Sequence, residues 1–433
     1  MDQAFPTPRR RTFMNISSFQ ALAMFRRGLF YTYLSIYLRF FLGLSVTETT
    51  FFATFPMVLN IVFQTFVWGV ISDKLQLRRT LIIVGEISAA VSTSLVWYFH
   101  TIPQSKHTAG FVIIIGLSLV EIFWSMSNVA WSALLADLYP EHKRAGIRGT
   151  ISSIGAVGNM VGVWAGGLAY DGLSHFYEGW GFDRGILFFI ASGIMAISTV
   201  PMFFVPEGGI VPRSESRKGG DAGDLHPNRK GSLSVSRKFA VFLIAMTFIY
   251  FGRNSIVLLK SQYLVLDEGF DVSSRLLSYI FSMASLGILL FGISIQGLTA
   301  RVKDEALLFI GTGVSVVYLI SFALARNLAT IFVSNFLSGA SQVILLATSY
   351  SYASKLIPPE KRGRQFAMFD ATRFLSWGIP ATFIAGPLVD RLVESGASDI
   401  FSYQMAFVAA ALLVTAGAFV LVLAVRIGKE GDQ

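Results

Sequence analysis

FRRGLFYTYLSIYLRFFLGLSVT, residues 25–47, aligns without a gap on FGRNSIVLLKSQYLVLDEGFDVS, residues 251–273, at an offset of 226. The register puts Arg27 on Arg253, Tyr37 on Tyr263, Gly43 on Gly269 and Val46 on Val272. Further along, LYPEHKR (138–144) matches LIPPEKR (356–362) at 218, and Gly69 matches Gly297 at 228. The chain therefore reads as a duplication. Internal repeats within apolar segments are the usual build of secondary transporters, whose solute site lies midway across the bilayer between the repeats.

The composition agrees with a bilayer setting. Of 433 residues, 53% are hydrophobic and 14% charged, against about 25% charged in average soluble domains, and the mean hydropathy is +0.60. Apolar runs of about twenty residues, each able to cross about 30 Å of hydrocarbon, start near residues 14, 49, 80, 110, 148, 185, 239, 274, 305, 328, 364 and 402. This predicts an all-α polytopic membrane protein with about twelve transmembrane helices in two pseudosymmetric six-helix bundles, 1–205 and 239–433. Between them, 206–238 is polar, Gly- and Ser-rich and unable to form a core, and reads as a flexible linker. The basic N-terminus, MDQAFPTPRRR, precedes a first helix that is retained rather than a signal peptide.

Of the 35 Lys and Arg, 24 fall on the side carrying both termini and the linker; Arg39, Lys106, Arg184, Arg275, Arg326 and Arg391 fall on the other. The positive-inside rule then puts both termini in the cytoplasm, in the plasma (inner) membrane. The net charge of +9 is this inner-surface excess and calls for no nucleic-acid partner. Cysteine is absent and the five histidines lack metal-ligand spacing, so no metal or other cofactor is expected. No nucleophile, base and orienting group occur together and no P-loop is present, which argues against an enzyme or an ATP-driven pump.

At the end of the second span stands GVISDKLQLRR, Gly69 to Arg79. With the twelve spans, the central linker and the repeat, the whole chain resembles the major facilitator superfamily, whose loop between helices 2 and 3 reads G-x-x-x-D-R/K-x-G-R-R/K. Gly69, Asp73, Lys74 and Arg78 match; Gln76 replaces the second glycine and Leu77 the arginine after it. The resemblance implies that Asp73 latches the cytoplasmic side against helix 11, near Gly363 and Arg364, through the positive end of that helix. It also implies that Gly158, Gly162 and Gly166 on span 5, whose spacing leaves one face bare for close backbone approach, pack on helix 8 (Gly287, Gly292, Gly297).

Charges inside spans cost about 2.5 to 3.5 kcal/mol each at a helix centre unless they face protein or water. They are Arg26 and Arg27, Glu86, Glu121, Arg253 and Lys260, and Asp370 with Arg373. Arg27 and Arg253 lie about 20 Å into their spans, at repeat-related positions, and read as opposed cationic ligands, one per half. Adjacent Arg26 and Arg27 cannot share a face. Asp370 and Arg373, at i and i+3, suit one another, and Glu86 is expected to reach interface water. Polar stripes on helix 4 (Glu121, Trp124, Ser125, Asn128, Ser132) and helix 10 (Asn335, Ser338, Gln342, Ser349) fall on helices that line the central cavity in the family. With Tyr31 and Lys260 they complete the candidate solute contacts: Arg27, Arg253, Glu121, Asn128, Lys260, Gln342, Trp124 and Tyr31.

Guanidinium forks suit carboxylates and phosphates, and FIYFGRNSIVLLKSQYL (248–264) also resembles helix 7 of organophosphate:phosphate antiporters through Tyr250, Arg253 and Tyr263. The expected activity is secondary transport of a small organic or phosphorylated anion by alternating access, coupled to protons or a counter-anion, with Glu121 as candidate proton carrier, by a monomer in the lipid bilayer. A structural ion-pair network is the competing role for the arginines. Proton-driven efflux of amphipathic compounds, suggested by 39 Phe, 14 Tyr and 7 Trp, and a non-transporting receptor are the competing functions.

Overall fold

The computed structural model describes residues 10–139, 141–177, 180–209, 236–358 and 362–430. They form twelve helical columns: α1 (Arg10–Ile36), α2 (Val46–Leu75), α3 (Arg78–His100), α4 (Lys106–Leu138), α5 (Glu141–Gly167), α6 (Ile186–Met202), α7 (Arg237–Leu264), α8 (Ser274–Arg301), α9 (Asp304–Ala323), α10 (Leu328–Leu356), α11 (Arg362–Leu375, resuming as Ala381–Ala385 and Gly386–Glu394) and α12 (Asp399–Glu430). Among the described residues nine columns are long and apolar enough to cross a membrane. The other three are α1, whose two arginines interrupt its apolar run, the shorter α6, and α11, which breaks ahead of Pro380 because proline donates no N–H and restricts the residue before it. Short polar caps start several columns: Ser45 with Glu48 forms a capping box on α2, and Ser105, Ser236, Ser273 and Asn327 accept the first free N–H groups of α4, α7, α8 and α10.

The expected linker, 206–238, differs at both ends. Its first residues dock on α3: the Glu207 carboxylate accepts the Thr80 backbone N–H at 2.9 Å and the Thr80 hydroxyl at 3.0 Å, and pairs with Arg79 at 3.0 Å. An acid at a helix N-terminus is held by the free N–H groups and the dipole. Arg237 and Lys238 open α7. Residues 210–235 lie outside the described residues.

Helices α1 to α6 pack chiefly on one another, and so do α7 to α12. The glycine stripe of α5 corrects the expected partner. A Cβ on Gly158, Gly162 or Gly166 would overlap the carbonyl oxygens of Ala21, Phe25 and Leu29, so the stripe seats α1, not α8. Gly167, about 100° further round the helix, is the one that meets α8, at Ser274 and Ser278. Gly287 of α8 packs on Phe336 and Ala340 of α10, while Gly292 and Gly297 face open space. Gly162→Ala is therefore expected to lower thermal stability in detergent by about 1 to 3 kcal/mol through overpacking. Gly193→Ala, whose Cβ would meet nothing within 4 Å, should be neutral or slightly stabilising; equal melting temperatures for the two variants would refute the close α1–α5 contact.

Contacts between the two sets of helices concentrate at the face opposite the 69–79 turn. Ser35 Oγ meets Ser261 Oγ at 2.8 Å, and these serines are repeat mates at the offset of 226, so the pseudo-twofold axis passes between them. Around them Gln262 donates to Thr49 Oγ1 (2.9 Å), Thr382 Oγ1 meets Thr50 and Thr54 (2.8 and 2.6 Å), and Ser274 donates to the Gly167 carbonyl and to Asp171. Asp390 of α11 accepts the Val46 and Thr47 backbone N–H groups at 2.9 and 2.8 Å, capping α2 from the other set of helices. Gly378 and Gly386 allow this approach, since a Cβ on either would press on Thr54 or Thr47. Among the described residues the hydrogen bond reaching furthest from this seam is Asn159 to Ser285, at 3.3 Å. Nearer the basic face, Phe66 and Val70 of α2 and Leu290 and Ile293 of α8 are exposed.

Candidate functional site

Midway along α1 the two adjacent arginines part. Arg26 is 4% exposed and its Nη1 pairs with Glu86 Oε2 at 3.9 Å; Arg27 is exposed. Both guanidinium carbons lie over the Trp124 ring, at 3.9 and 4.6 Å from its centroid, and the ring quadrupole attracts each cation. Glu86 Oε1 in turn accepts the Trp124 indole N–H (3.0 Å) and the Ser127 hydroxyl (2.9 Å). This corrects the expected exposure of Glu86. It is 1% exposed and faces α1 and α4 rather than the interface, because Gly85 beside it lets α3 approach the α4 backbone, with the Phe123 carbonyl 2.8 Å from a would-be Cβ. The network fixes the indole, and the indole supports Arg27.

Beside Arg27 on the α4 face, Glu121 is buried and accepts a hydrogen bond from Asn60 Nδ2 of α2. No ion pair within 4.0 Å joins Glu121 to Arg27 or Arg253 among the described residues. Tyr31 stacks on Phe52 at 6.3 Å and is partly buried, as is Asn128. A small cavity lined by Arg26, Tyr31, Thr93 and Trp124 adjoins the cluster. Arg27 is thus exposed beside Trp124 of α4, and on α10 Gln342 is exposed as well. Asn60 was not among the sequence candidates; an amide inside an apolar helix, one turn before Gln64, was its only signal.

The repeat-mate Arg253 sits differently. It is 7% exposed, donates from Nη2 to the Ser338 carbonyl of α10 at 3.2 Å, and lies 6.0 Å from the Tyr318 ring of α9. By contacts its counterpart is Arg26, which reaches α3 and α4, so the two arginines matched by sequence do not stand as mirror images. Lys260 is also 7% exposed, with Nζ 5.7 Å from both the Phe281 and the Phe322 ring. Between these cations α7 unwinds over 256–258. Asp370 and Arg373 pair with each other at 3.4 Å, as their spacing predicts.

On the basic face, Asp73 has 80% of its side chain exposed and takes Arg78 at 3.4 Å; Arg78 also reaches Asp137 at 3.4 Å. Gln76, standing where the family pattern has glycine, holds φ +55 at the end of α2, the left-handed conformation that glycine adopts without cost. Its side-chain amide donates to the Asp73 carbonyl at 2.8 Å. Lys74 is exposed, and Gly69 closes the wider turn 64–68 of α2. Of the expected α11 partners Gly363 and Arg364, the surroundings of the first and the side chain of the second lie outside what is described. Among the described residues no group of His, Asp and Glu is arranged to hold a metal.

The family model described as Major Facilitator Superfamily matches residues 16–381. Among solved structures the fold is shared with a mutant of the nucleoside transporter NupG (TM-score 0.72, 13% identity, 95% of this chain and 99% of that one). It is shared also with a bacterial homolog to the human lysosomal transporter Spinster, inward-facing and unoccupied (0.70, 15%, 98% and 98%), and with a POT family transporter in complex with a thioalcohol-conjugated peptide (0.68, 14%, 96% and 96%). No curated protein matches the sequence.

Proposed function

The chain belongs to the Major Facilitator Superfamily and moves a small solute across a membrane by alternating access, and from that premise we propose that the solute is a small organic or phosphorylated anion engaged by Arg27. The observation that carries this is one exposed guanidinium at mid-depth of α1, seated on Trp124 and without an ion-pair partner within 4.0 Å among the described residues. A cation at that depth is costly unless it faces water or a ligand, and a planar fork of N–H donors is complementary to carboxylate and phosphate oxygens. The local likeness of 248–264 to organophosphate:phosphate antiporters points the same way.

In this reading the basic face is cytoplasmic, with both termini there, and the cavity opens to it while the Ser35–Ser261 seam closes the other face. The anion enters and meets Arg27 with Tyr31 nearby, Asn128 and Gln342 being its further candidate contacts, and the two sets of helices rock about it. Asp73 latches the basic face in the opposite state. Glu121, next to Arg27 and held by Asn60, takes or releases a proton as the local charge changes on occupancy, which couples the cycle to protons; exchange against a counter-anion is the other coupling.

Counterflow in proteoliposomes tests the proposal, using phosphorylated, carboxylated, neutral and cationic solutes. Anions should exchange selectively, and Arg27→Gln should lower that exchange about tenfold, a loss of ~1.4 kcal/mol. Exchange of neutral or cationic solutes that survives Arg27→Gln would return the arginine to a structural role.

A further inference from the structure

Charge is divided unequally between the two sets of helices. In the first, Arg26 and Arg27 are matched in number by Glu86, which binds Trp124, and by Glu121, which is held by Asn60. In the second, Asp370 is taken by Arg373, and Arg253 and Lys260 have no acidic partner among the described residues. The groups touching them are neutral, the Ser338 carbonyl and the Tyr318 ring at Arg253 and the Phe281 and Phe322 rings at Lys260, and the nearby charge that Lys260 feels is the like charge of Arg253. Both are more than nine-tenths buried, and Arg253 Nε has no hydrogen-bond partner among the described residues. Aromatic faces attract a cation but do not neutralise it. Two buried positive charges are therefore left over, separated by the unwound turn 256–258 of α7.

We infer that the transported anion carries two negative charges, a dianion such as a phosphate monoester or a dicarboxylate, and that Lys260 is the residue that reads the second charge. The inference rests on the anion reading above and deepens it. A monoanion would leave one buried cation uncompensated in the occupied state, whereas a dianion closes the balance of the second set of helices. Arg27, exposed on Trp124, then orients the solute, and Arg253 with Lys260 supplies the attraction for the second charge. Unwinding at 256–258 gives the two cations independent freedom to turn towards one ligand, since no continuous helix fixes their relative angle.

The experiment compares solutes of one shape and two charges in proteoliposomes holding the full chain at neutral pH: sulfate against methyl sulfate, and succinate against succinamate. Wild type should exchange each dianion about tenfold or more over its monoanionic analogue. Lys260→Met should bring that ratio close to one while still exchanging the monoanions, and Lys260→Arg should restore it. Equal exchange of the paired solutes by wild type, a measurement that needs no variant to fold, would overturn the inference and leave the anion reading standing. An unchanged ratio in a folded Lys260→Met would do the same for the role of the lysine. Exchange of neutral or cationic solutes with none of the four anions would sink both.

Discussion

Replacing Glu86 with leucine is expected to destabilise the folded protein by about 3 to 5 kcal/mol, the range for removing one partner of a buried ion pair. The loss has three parts at one position. Arg26, 4% exposed, keeps its charge without its 3.9 Å counter-ion, and the Trp124 indole N–H and the Ser127 hydroxyl lose their acceptor. Burying a charge or a donor without a partner costs more than the pair contributes when intact. Denaturation in detergent micelles measures this, and Glu86→Leu combined with Arg26→Met should recover much of it, because an apolar pair of similar volume replaces the ionic one. Were the double variant no more stable than Glu86→Leu alone, the loss would lie in packing and the ion pair would not be its cause. A second consequence concerns transport. An indole released from Glu86 no longer fixes the support of Arg27, so under the solute role proposed for that arginine surviving molecules should bind the solute more weakly.

Glu86 also marks where sequence reading stops. Its place inside a span was legible, since a carboxylate interrupts the apolar run of α3; what it faces was not, because that depends on the close approach of α3 and α4 at Gly85. The glycine stripe of α5 behaves alike. A period of four announces a bare helix face, yet only the tertiary arrangement says that α1 fills it. The repeat at 226 is realised to the atom in the Ser35–Ser261 contact, but it mispairs the arginines: in their contacts Arg253 corresponds to Arg26, one residue from its aligned mate. The duplicated sequence preserves where each helix runs and loses about 100° of rotation, which decides whether a side chain faces the cavity or its neighbours. Asp390 carried no signal at all, because its partners are backbone N–H groups of a helix more than three hundred residues away.

That residue supports the other large expectation. Asp390→Ala should weaken closure of the face opposite the 69–79 turn by about 2 to 3 kcal/mol, a shift of roughly 30- to 150-fold in the balance between closed and open forms of that face. The carboxylate accepts two N–H groups at the start of α2, at 2.9 and 2.8 Å, where the helix dipole also favours negative charge. Charge-assisted bonds of this kind contribute about 1.5 to 3 kcal/mol each, and partial exposure of Asp390 trims the pair. Its bonds run from α11 to α2, between the two sets of helices, so they exist only while this face is shut; removing them acts on the conformational balance and spares the packing within each set. The absence of native cysteine makes the measurement direct. Spin labels at Thr108→Cys, at the start of α4, and Glu268→Cys, in the turn before α8, both exposed, report the separation across the seam. The distance distribution should move to longer values in Asp390→Ala and part of the way in Asp390→Asn, which keeps an acceptor oxygen but no charge; a distribution unmoved in both would show that the threonine and serine contacts close the face without it. If Asp73 fulfils the latch role proposed for it, α2 is gripped by a carboxylate at either end, through its first turn by Asp390 of α11 and through Asp73 at its last. Each grip then holds in only one of the two states, and solute passage consists of exchanging one for the other.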